Sequence, residues 1–105
     1  MPALTGTQRR YLRSLGHNLT PVVTVGSGGA SPGLVNQIQL QLHAHELIKV
    51  KVLEGTRPEM RSLGATLADE TNSELAQVLG RTLLLYRARE ENPTIDLPSG
   101  RGDQG

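Results

Sequence analysis

A glycine-rich turn between a strand pattern and a helix start constrains this chain more than any other segment. The run Pro21–Val25 is rich in β-branched residues and predicts a strand. Ser31 followed by Pro32 predicts an N-cap with proline at the first helical position. The strand and the helix are joined by a tight turn, Gly26-Ser27-Gly28-Gly29. Because glycine has no Cβ, backbone N–H groups of such a turn can approach a phosphate closely.

Length and composition limit the chain to one small domain with an aliphatic core. It has 105 residues, no Phe or Trp, and only two tyrosines. The absence of cysteine excludes disulfides, thiolate zinc sites and cysteine nucleophiles. No run of 18 apolar residues is present, and the N-terminus lacks the basic and apolar regions of a secretory signal. We therefore predict a cytoplasmic protein that does not associate with membranes.

The charge is unevenly distributed along the chain. Residues 1–53 contain five basic residues against the single acid Glu46, which gives +4. Residues 54–105 contain six arginines against nine acids, which gives −3, so the formal net charge is only +1. An asymmetry of this kind predicts a basic face and an anionic partner.

The hydrophobic patterns predict the order α-β-α-β-α-β-β. Capping boxes at Thr5–Gln8 and Thr56–Glu59 open the first and third helices, and Leu47–Val52 alternates as a strand does. Gly80-Arg81 suits a two-residue hairpin turn. We predict an α/β fold, a two-layer α+β sandwich with a four-stranded mixed sheet. The domain should cover residues 1–91, followed by a flexible C-terminal tail over 92–105.

Helical and strand periodicity separates the basic residues from the core. On the first helix the inward stripe is predicted to be Gln8, Tyr11, Leu12 and Leu15. The opposite side carries three arginines, Arg9, Arg10 and Arg13. On the strand Leu47–Val52, the alternate residues face the core and leave Lys49 and Lys51 together on the other face. These basic groups are not needed for packing, so we predict that they bind an anion.

The third helix and the two tyrosines give further expectations. Met60, Leu63, Leu67 and Ala68 are predicted to face inward, and Gly64 should allow the helix to approach the sheet closely. Tyr11 is predicted to be buried, whereas the sequence leaves the exposure of Tyr86 open.

Four segments, in this order and spacing, resemble the CRM domain family in its bacterial stand-alone form, the YhbY-type proteins. They are Leu4–Arg13, Pro21–Gly29, His45–Val52 and Gly80–Arg87. The resemblance covers nearly everything from Leu4 to Arg89. It implies a compact α/β domain similar to the C-terminal domain of bacterial translation initiation factor three.

The resemblance also implies that RNA is the partner. Members of the family bind RNA, and the bacterial ones associate with precursors of the large ribosomal subunit and assist its maturation. Plant organellar relatives take part in group II intron splicing. The family's Gly-x-x-Gly loop, implicated in RNA contact, maps onto the glycine turn of this chain. The predicted RNA-binding residues are Gly26, Ser27, Gly28, Gly29, Arg9, Arg10, Arg13, Lys49, Lys51, Arg81 and Arg87.

Other chemistries have weaker support. No Walker-type lysine follows the glycine turn, so nucleotide hydrolysis lacks its charge clamp. His43 and His45 are two residues apart at a helix end and should diverge, which disfavours a metal site. We predict no enzyme activity, no cofactor, no metal and no small-molecule substrate. The competing interpretation is a protein-interaction module that docks on a ribosomal protein or assembly factor without touching RNA.

Overall fold

The computed structural model describes residues 4–26 and 29–98. Its elements in chain order are α1 (Gly6–Gly16), β1 (Val23–Val25), α2 (Pro32–His45), β2 (Leu47–Val52), α3 (Arg57–Glu70), β3 (Glu74–Leu79) and β4 (Thr82–Tyr86). The predicted order of helices and strands is therefore confirmed. Of the predicted site residues, Ser27 and Gly28 lie outside the described residues.

The sheet has the strand order β1-β2-β4-β3. β1 is parallel to β2, with Val25 beside Val52, whereas β4 is antiparallel to both of its neighbours. This confirms the predicted four-stranded mixed sheet. Because α2 connects two parallel strands, its N-terminus lies at the carboxyl end of β1. α3 leaves the carboxyl end of β2, so both helices begin at the end of the sheet that carries the glycine turn.

All three helices begin at the cap residues that the sequence predicts. The side chains of Thr5, Ser31 and Thr56 each accept a hydrogen bond from the backbone N–H three residues later. At Thr5 and Thr56 the reciprocal bond from the cap N–H to the side chain of Gln8 or Glu59 completes the capping box. These bonds satisfy N–H groups that have no partner inside the helix.

Two apolar clusters pack on opposite faces of the sheet. The first joins α2 and α3 to one face, and it contains Val23, Val25, Leu34, Ile38, Leu42, Ile48, Val50, Val52, Met60, Leu67, Ala68, Leu83 and Leu85. The second joins α1 to the other face, with Leu12, Leu47, Ala76, Leu84 and Tyr86. Helices therefore lie on both faces of the sheet, with α2 and α3 on one face and α1 on the other.

The inward face of α1 differs from the prediction. Leu12 and Gly16 are buried, whereas Tyr11 and Leu15 are each 37% exposed. A Cβ at Gly16 would lie 2.8 Å from Cδ1 of Leu84, so the last turn of α1 lies directly against β4. Because Leu12 and Gly16 face the sheet, Tyr11 and Leu15 lie at the edge of the contact between α1 and the sheet. The predicted burial of Tyr11 is therefore wrong.

Gly64 has the structural role that the sequence predicts. A Cβ at this position would lie 2.9 Å from Cδ2 of Leu75 and 3.2 Å from Cδ2 of Leu83. The missing side chain lets α3 approach β3 and β4 closely, and Met60 and Leu67 on the same helix are buried in the first cluster.

The C-terminal segment makes contacts that a flexible tail from residue 92 does not predict. Ile95 and Leu97 pack against the second apolar cluster, beside α1. The side-chain amide of Gln8 donates a hydrogen bond of 3.1 Å to the carbonyl of Pro98. We call residues 94–98 the C-terminal strap. Its contacts reach Pro98, and residues 99–105 lie outside the described part of the chain.

Candidate nucleic-acid interface

The glycine turn closes through backbone hydrogen bonds at the carboxyl end of β1. The N–H of Gly29 donates to the carbonyl of Gly26 at 3.3 Å, and the N–H of Ser31 donates to the carbonyl of Gly29 at 3.0 Å. Gly29 has a φ of +64°, in the left-handed region that glycine adopts without strain. A Cβ at Gly26 or Gly29 would meet no atom within 4 Å, so the backbone at these two positions is accessible to an approaching ligand.

The N-terminus of α2 adds positive electrostatic potential beside the turn. α2 has no acidic residue in its first turn, whereas α3 has Glu59 in the same position. The helix dipole therefore stays uncompensated at α2 and is partly neutralised at α3. Anions are stabilised at such a terminus.

Lys51 and Arg81 lie at the same end of the sheet as the turn. Lys51 pairs with Thr24 of β1 on one side and with Thr82 of β4 on the other, and it is exposed. The carbonyl of Arg81 accepts from the N–H of Val52 at 2.8 Å. Nη1 of Arg81 donates to the carbonyl of Leu53 at 3.0 Å, which holds the guanidinium beside the carboxyl end of β2. The structure thus brings Arg81 into one cleft with Gly26 and Gly29, and it places Lys51 one residue before the end of β2, on the sheet face opposite Val50 and Val52.

Lys49, Arg10 and Arg13 belong to the sheet face that α1 covers. Nζ of Lys49 lies 3.4 Å from the carbonyl of His17, just beyond the end of α1. Arg13 is exposed one turn before His17, and Arg10 is exposed nearer the start of the helix. The predicted grouping of the two lysines on one face is confirmed by the alternation along β2, where Ile48, Val50 and Val52 are buried on the other side.

Arg9 and Arg87 are held inside the domain away from the glycine turn. Nη1 of Arg9 donates to the carbonyl of Leu75 at 2.6 Å, on the edge strand opposite β1. Nη1 of Arg87 donates to the carbonyl of Thr71 at 2.7 Å and also to the side chain of Gln39. Arg87 follows β4 at the end of the sheet where β2 begins. Both arginines therefore join elements of the fold, and the structure does not bring them together with the turn.

Two carboxylates lie near the turn that the sequence analysis did not assign to the site. Glu54 and Glu59 share a cleft with Gly26, Gly29 and Arg81. Hydrogen bonds from the backbone and side chain of Thr56 hold the pKa of Glu59 below its usual value, so it is ionised at neutral pH. The sequence contained a signal for this part of the site, because ligands of open α/β sheets bind where the carboxyl ends of parallel strands meet. Applied to β2 as well as β1, that rule selects Glu54.

The tyrosines offer little surface for stacking on bases. Tyr86 is only 2% exposed, which settles the question that the sequence left open. Burial raises the pKa of its hydroxyl, and the negative charge of Glu46 raises it further. Tyr11, on α1, is the more exposed of the two tyrosines.

Within residues 4–26 and 29–98, no three His, Cys, Asp or Glu side chains converge in a group that could hold a metal ion. None of the helices in this described part has the length and apolar character needed to cross a bilayer.

Known proteins resemble this chain along most of its length. The family model for the CRS1 / YhbY (CRM) domain matches residues 4–87. YqeI of Bacillus subtilis, whose name describes it as a probable RNA-binding protein, is 42% identical over 95 residues, 90% of this chain and 99% of that protein. A Haemophilus influenzae protein named RNA-binding protein is 38% identical over 98 residues, 93% of this chain and 98% of its own.

A solved structure has the same fold. The solution structure of SAV1595 from Staphylococcus aureus has a TM-score of 0.82 to this chain and is 45% identical, over 90% of this chain and 99% of that one. The region that the family model matches, residues 4–87, includes all three helices and all four strands. The resemblance inferred from four short segments is thereby confirmed, and the chain belongs to the CRS1/YhbY (CRM) domain family.

Proposed function

We propose that this protein binds structured RNA through its phosphate backbone, as a non-enzymatic cytoplasmic factor in assembly of the large ribosomal subunit. The RNA is ribosomal RNA, which the protein binds in precursor particles. The observation that carries the proposal is that Gly26, Gly29, Arg81 and the N-terminus of α2, which has no acid in its first turn, lie at the end of the sheet where Lys51 nearly ends β2.

Each part of this end suits a phosphate for a different reason. Gly26 and Gly29 have no side chain to hold a phosphate away from the backbone, and the α2 dipole favours a negative charge there. Lys51 supplies a mobile point charge, whereas the guanidinium of Arg81 can form bidentate bonds. Exposed Arg10 and Arg13 extend the basic surface along α1. The relatives named as RNA-binding proteins support the choice of RNA among polyanions.

Lys51→Gln is expected to weaken RNA binding about 3- to 10-fold, because it removes one phosphate contact beside the turn. For wild-type protein that neutralises about five phosphates, the slope of log K against log salt should be about −3 to −5, and the variant should reduce it by about one. The measurement is fluorescence anisotropy of a labelled ribosomal RNA hairpin between 50 and 300 mM salt.

The matched control is Arg61→Gln, which removes one exposed positive charge from α3 on the side of the domain that carries β3. Its affinity should stay within about twofold of wild type, because a general charge effect is small. Equal losses in the two variants, or a wild-type affinity that does not change with salt, would refute binding through phosphates at this end of the sheet.

The ribosomal part of the proposal has a separate test. Tagged protein should sediment with precursors of the large subunit in a sucrose gradient, and complete nuclease digestion should release it. Crosslink mapping should then place its contacts on ribosomal RNA. Sedimentation with mature particles or with no particle would refute the role in assembly, and retention after digestion would favour docking on a protein.

A further inference from the structure

A cleft of about 580 Å³ adjoins the glycine turn and is not explained by phosphate binding. It lies over the carboxyl ends of β1 and β2, between the turn and the start of α3. Its volume is within the range of sites that hold small molecules, about 300–1,000 Å³. The cleft opens at the same end of the sheet as Lys51. An RNA strand bound at this end therefore runs past the opening of the cleft.

The floor of the cleft is apolar and one of its walls is backbone. Met60 is buried at the floor and Leu63 is half-buried beside it. Gly26, Gly29 and Gly55 line the cleft without side chains, and Gly55 has a φ of +151° that favours glycine. A flat ring can therefore lie against the backbone and contact apolar side chains at the same time.

The opening of the cleft is lined by charged residues, which determine the kind of ligand that can bind inside. Glu54 and Glu59 are both exposed there, and Oε1 of Glu59 is already bonded to the N–H of Thr56 at 2.7 Å. These two carboxylates repel a phosphate from the cleft itself, so the phosphate stays on the open side of the turn. The exposed guanidinium of Arg81 lies at the rim, where it can stack on a ring.

We infer that this cleft binds one unstacked guanine base of the RNA, with the carboxylate of Glu54 accepting hydrogen bonds from its N1–H and N2 amino groups. The inference rests on the proposed RNA-binding function. Guanine is the base whose Watson–Crick edge presents two adjacent donors, and a carboxylate presents two acceptors in a matching geometry. Adenine, cytosine and uracil present at most one such donor beside an acceptor.

The test compares RNA hairpins that carry one bulged guanosine or one bulged inosine. Inosine lacks only the N2 amino group, so the two RNAs have the same phosphates and nearly the same shape. Wild-type protein is expected to bind the guanosine hairpin about tenfold more tightly, the value of one hydrogen bond to a charged acceptor. Glu54→Gln should reduce the ratio to below about twofold.

Glu70→Gln is the matched control, because it also removes one exposed carboxylate, at the other end of α3. It should keep the tenfold ratio, and circular dichroism should show that both variants are folded. A ratio near one for wild type, or an unchanged ratio in Glu54→Gln, overturns the guanine site while RNA binding itself stands. If neither hairpin binds, the proposed function fails together with the site.

A titration with GMP in the absence of RNA distinguishes a base of RNA from a free nucleotide. GMP supplies the base and one phosphate but none of the flanking nucleotides of RNA, so it should bind only at millimolar concentration, as chemical-shift changes of the Gly55 amide would report. Saturation of the cleft below about 10 μM GMP would reassign it to a mononucleotide, which overturns the proposal that RNA supplies the base.

Discussion

Glu46→Gln is expected to lower the free energy of unfolding by about 2–4 kcal/mol. The Glu46 side chain is fully buried between α2 and β2. Its carboxylate accepts from the N–H groups of Arg89, Thr94 and Ile95 at 2.8, 2.7 and 3.0 Å, and from the hydroxyl of Thr94 at 2.7 Å. An amide has one oxygen in place of two, and its NH₂ group would oppose N–H donors. The variant therefore loses acceptors where water cannot replace them.

Urea unfolding followed by circular dichroism measures this loss. Glu90→Gln is the matched control, since it removes an exposed carboxylate close to the same segment and should change stability by less than about 0.5 kcal/mol. Similar stability of the two variants would show that the bonds to Glu46 contribute nothing net.

The same carboxylate predicts how stability depends on pH. Burial raises the pKa of Glu46, but the hydrogen bonds from Arg89, Thr94 and Ile95 outweigh it and lower the pKa from 4.5 to about 2. A carboxyl with a lowered folded pKa contributes stability above its unfolded pKa and loses it as pH falls toward the folded pKa. Wild type should therefore lose stability between about pH 4.5 and pH 2 more steeply than Glu46→Gln. Parallel curves for the two proteins would contradict this origin of the acid sensitivity.

Local sequence signals predicted the elements of this fold well. The three caps, the alternation along β2 and the close approach at Gly64 each depend on neighbouring residues or on a single packing contact, which sequence patterns record. The inward face of α1 was predicted incorrectly because Gly16, which has no side chain, lets the last turn of the helix pack on Leu84. That contact joins residues 68 positions apart, and no local pattern encodes it.

The parts of the candidate site that follow from the strand topology were predictable from the sequence. The hydrogen-bond partners of long side chains were not. The glycine turn lies beside the end of β2 because β1 and β2 are parallel, and Arg81 lies there because it directly precedes the antiparallel β4. Helical periodicity placed Arg9 outward, yet it bonds to a carbonyl of β3. Periodicity describes the direction of a Cα–Cβ bond, whereas a long arginine reaches whichever carbonyl lies unsatisfied nearby.

Glu46 shows the same limit in a buried group. In the sequence it is the single acid of a basic half, next to two histidines, and nothing nearby indicates its donors. Three of its four hydrogen bonds come from Thr94 and Ile95, 48 and 49 residues away. The composition of this region, rich in proline and polar residues, predicts a flexible tail, but the buried carboxylate supplies the partners that composition cannot show.

Deleting residues 93–105 is therefore expected to cost about 3–5 kcal/mol. The deletion removes three of the four hydrogen bonds to the Glu46 carboxylate and leaves the buried charge without most of its donors. It also exposes the apolar surface under Ile95 and Leu97. Deletion of 99–105 alone is the matched control, because it keeps the C-terminal strap, and stability should stay within about 0.5 kcal/mol of wild type.

Urea unfolding measures the stability of the two deletions and of a protein that combines Glu46→Gln with the longer deletion. The comparison shows how much of the C-terminal strap's contribution depends on Glu46. Since both changes remove the same hydrogen bonds, their costs should overlap, and the combined loss should fall below the sum of the single losses by more than about 1 kcal/mol. If the long deletion fails to fold, Thr94→Val provides the test, because it removes only the hydroxyl donor to Glu46. This substitution should lower the free energy of unfolding by about 1–2 kcal/mol. If residues 93–105 can be removed without cost, the region is the flexible tail that its composition predicts, and Glu46 does not anchor it.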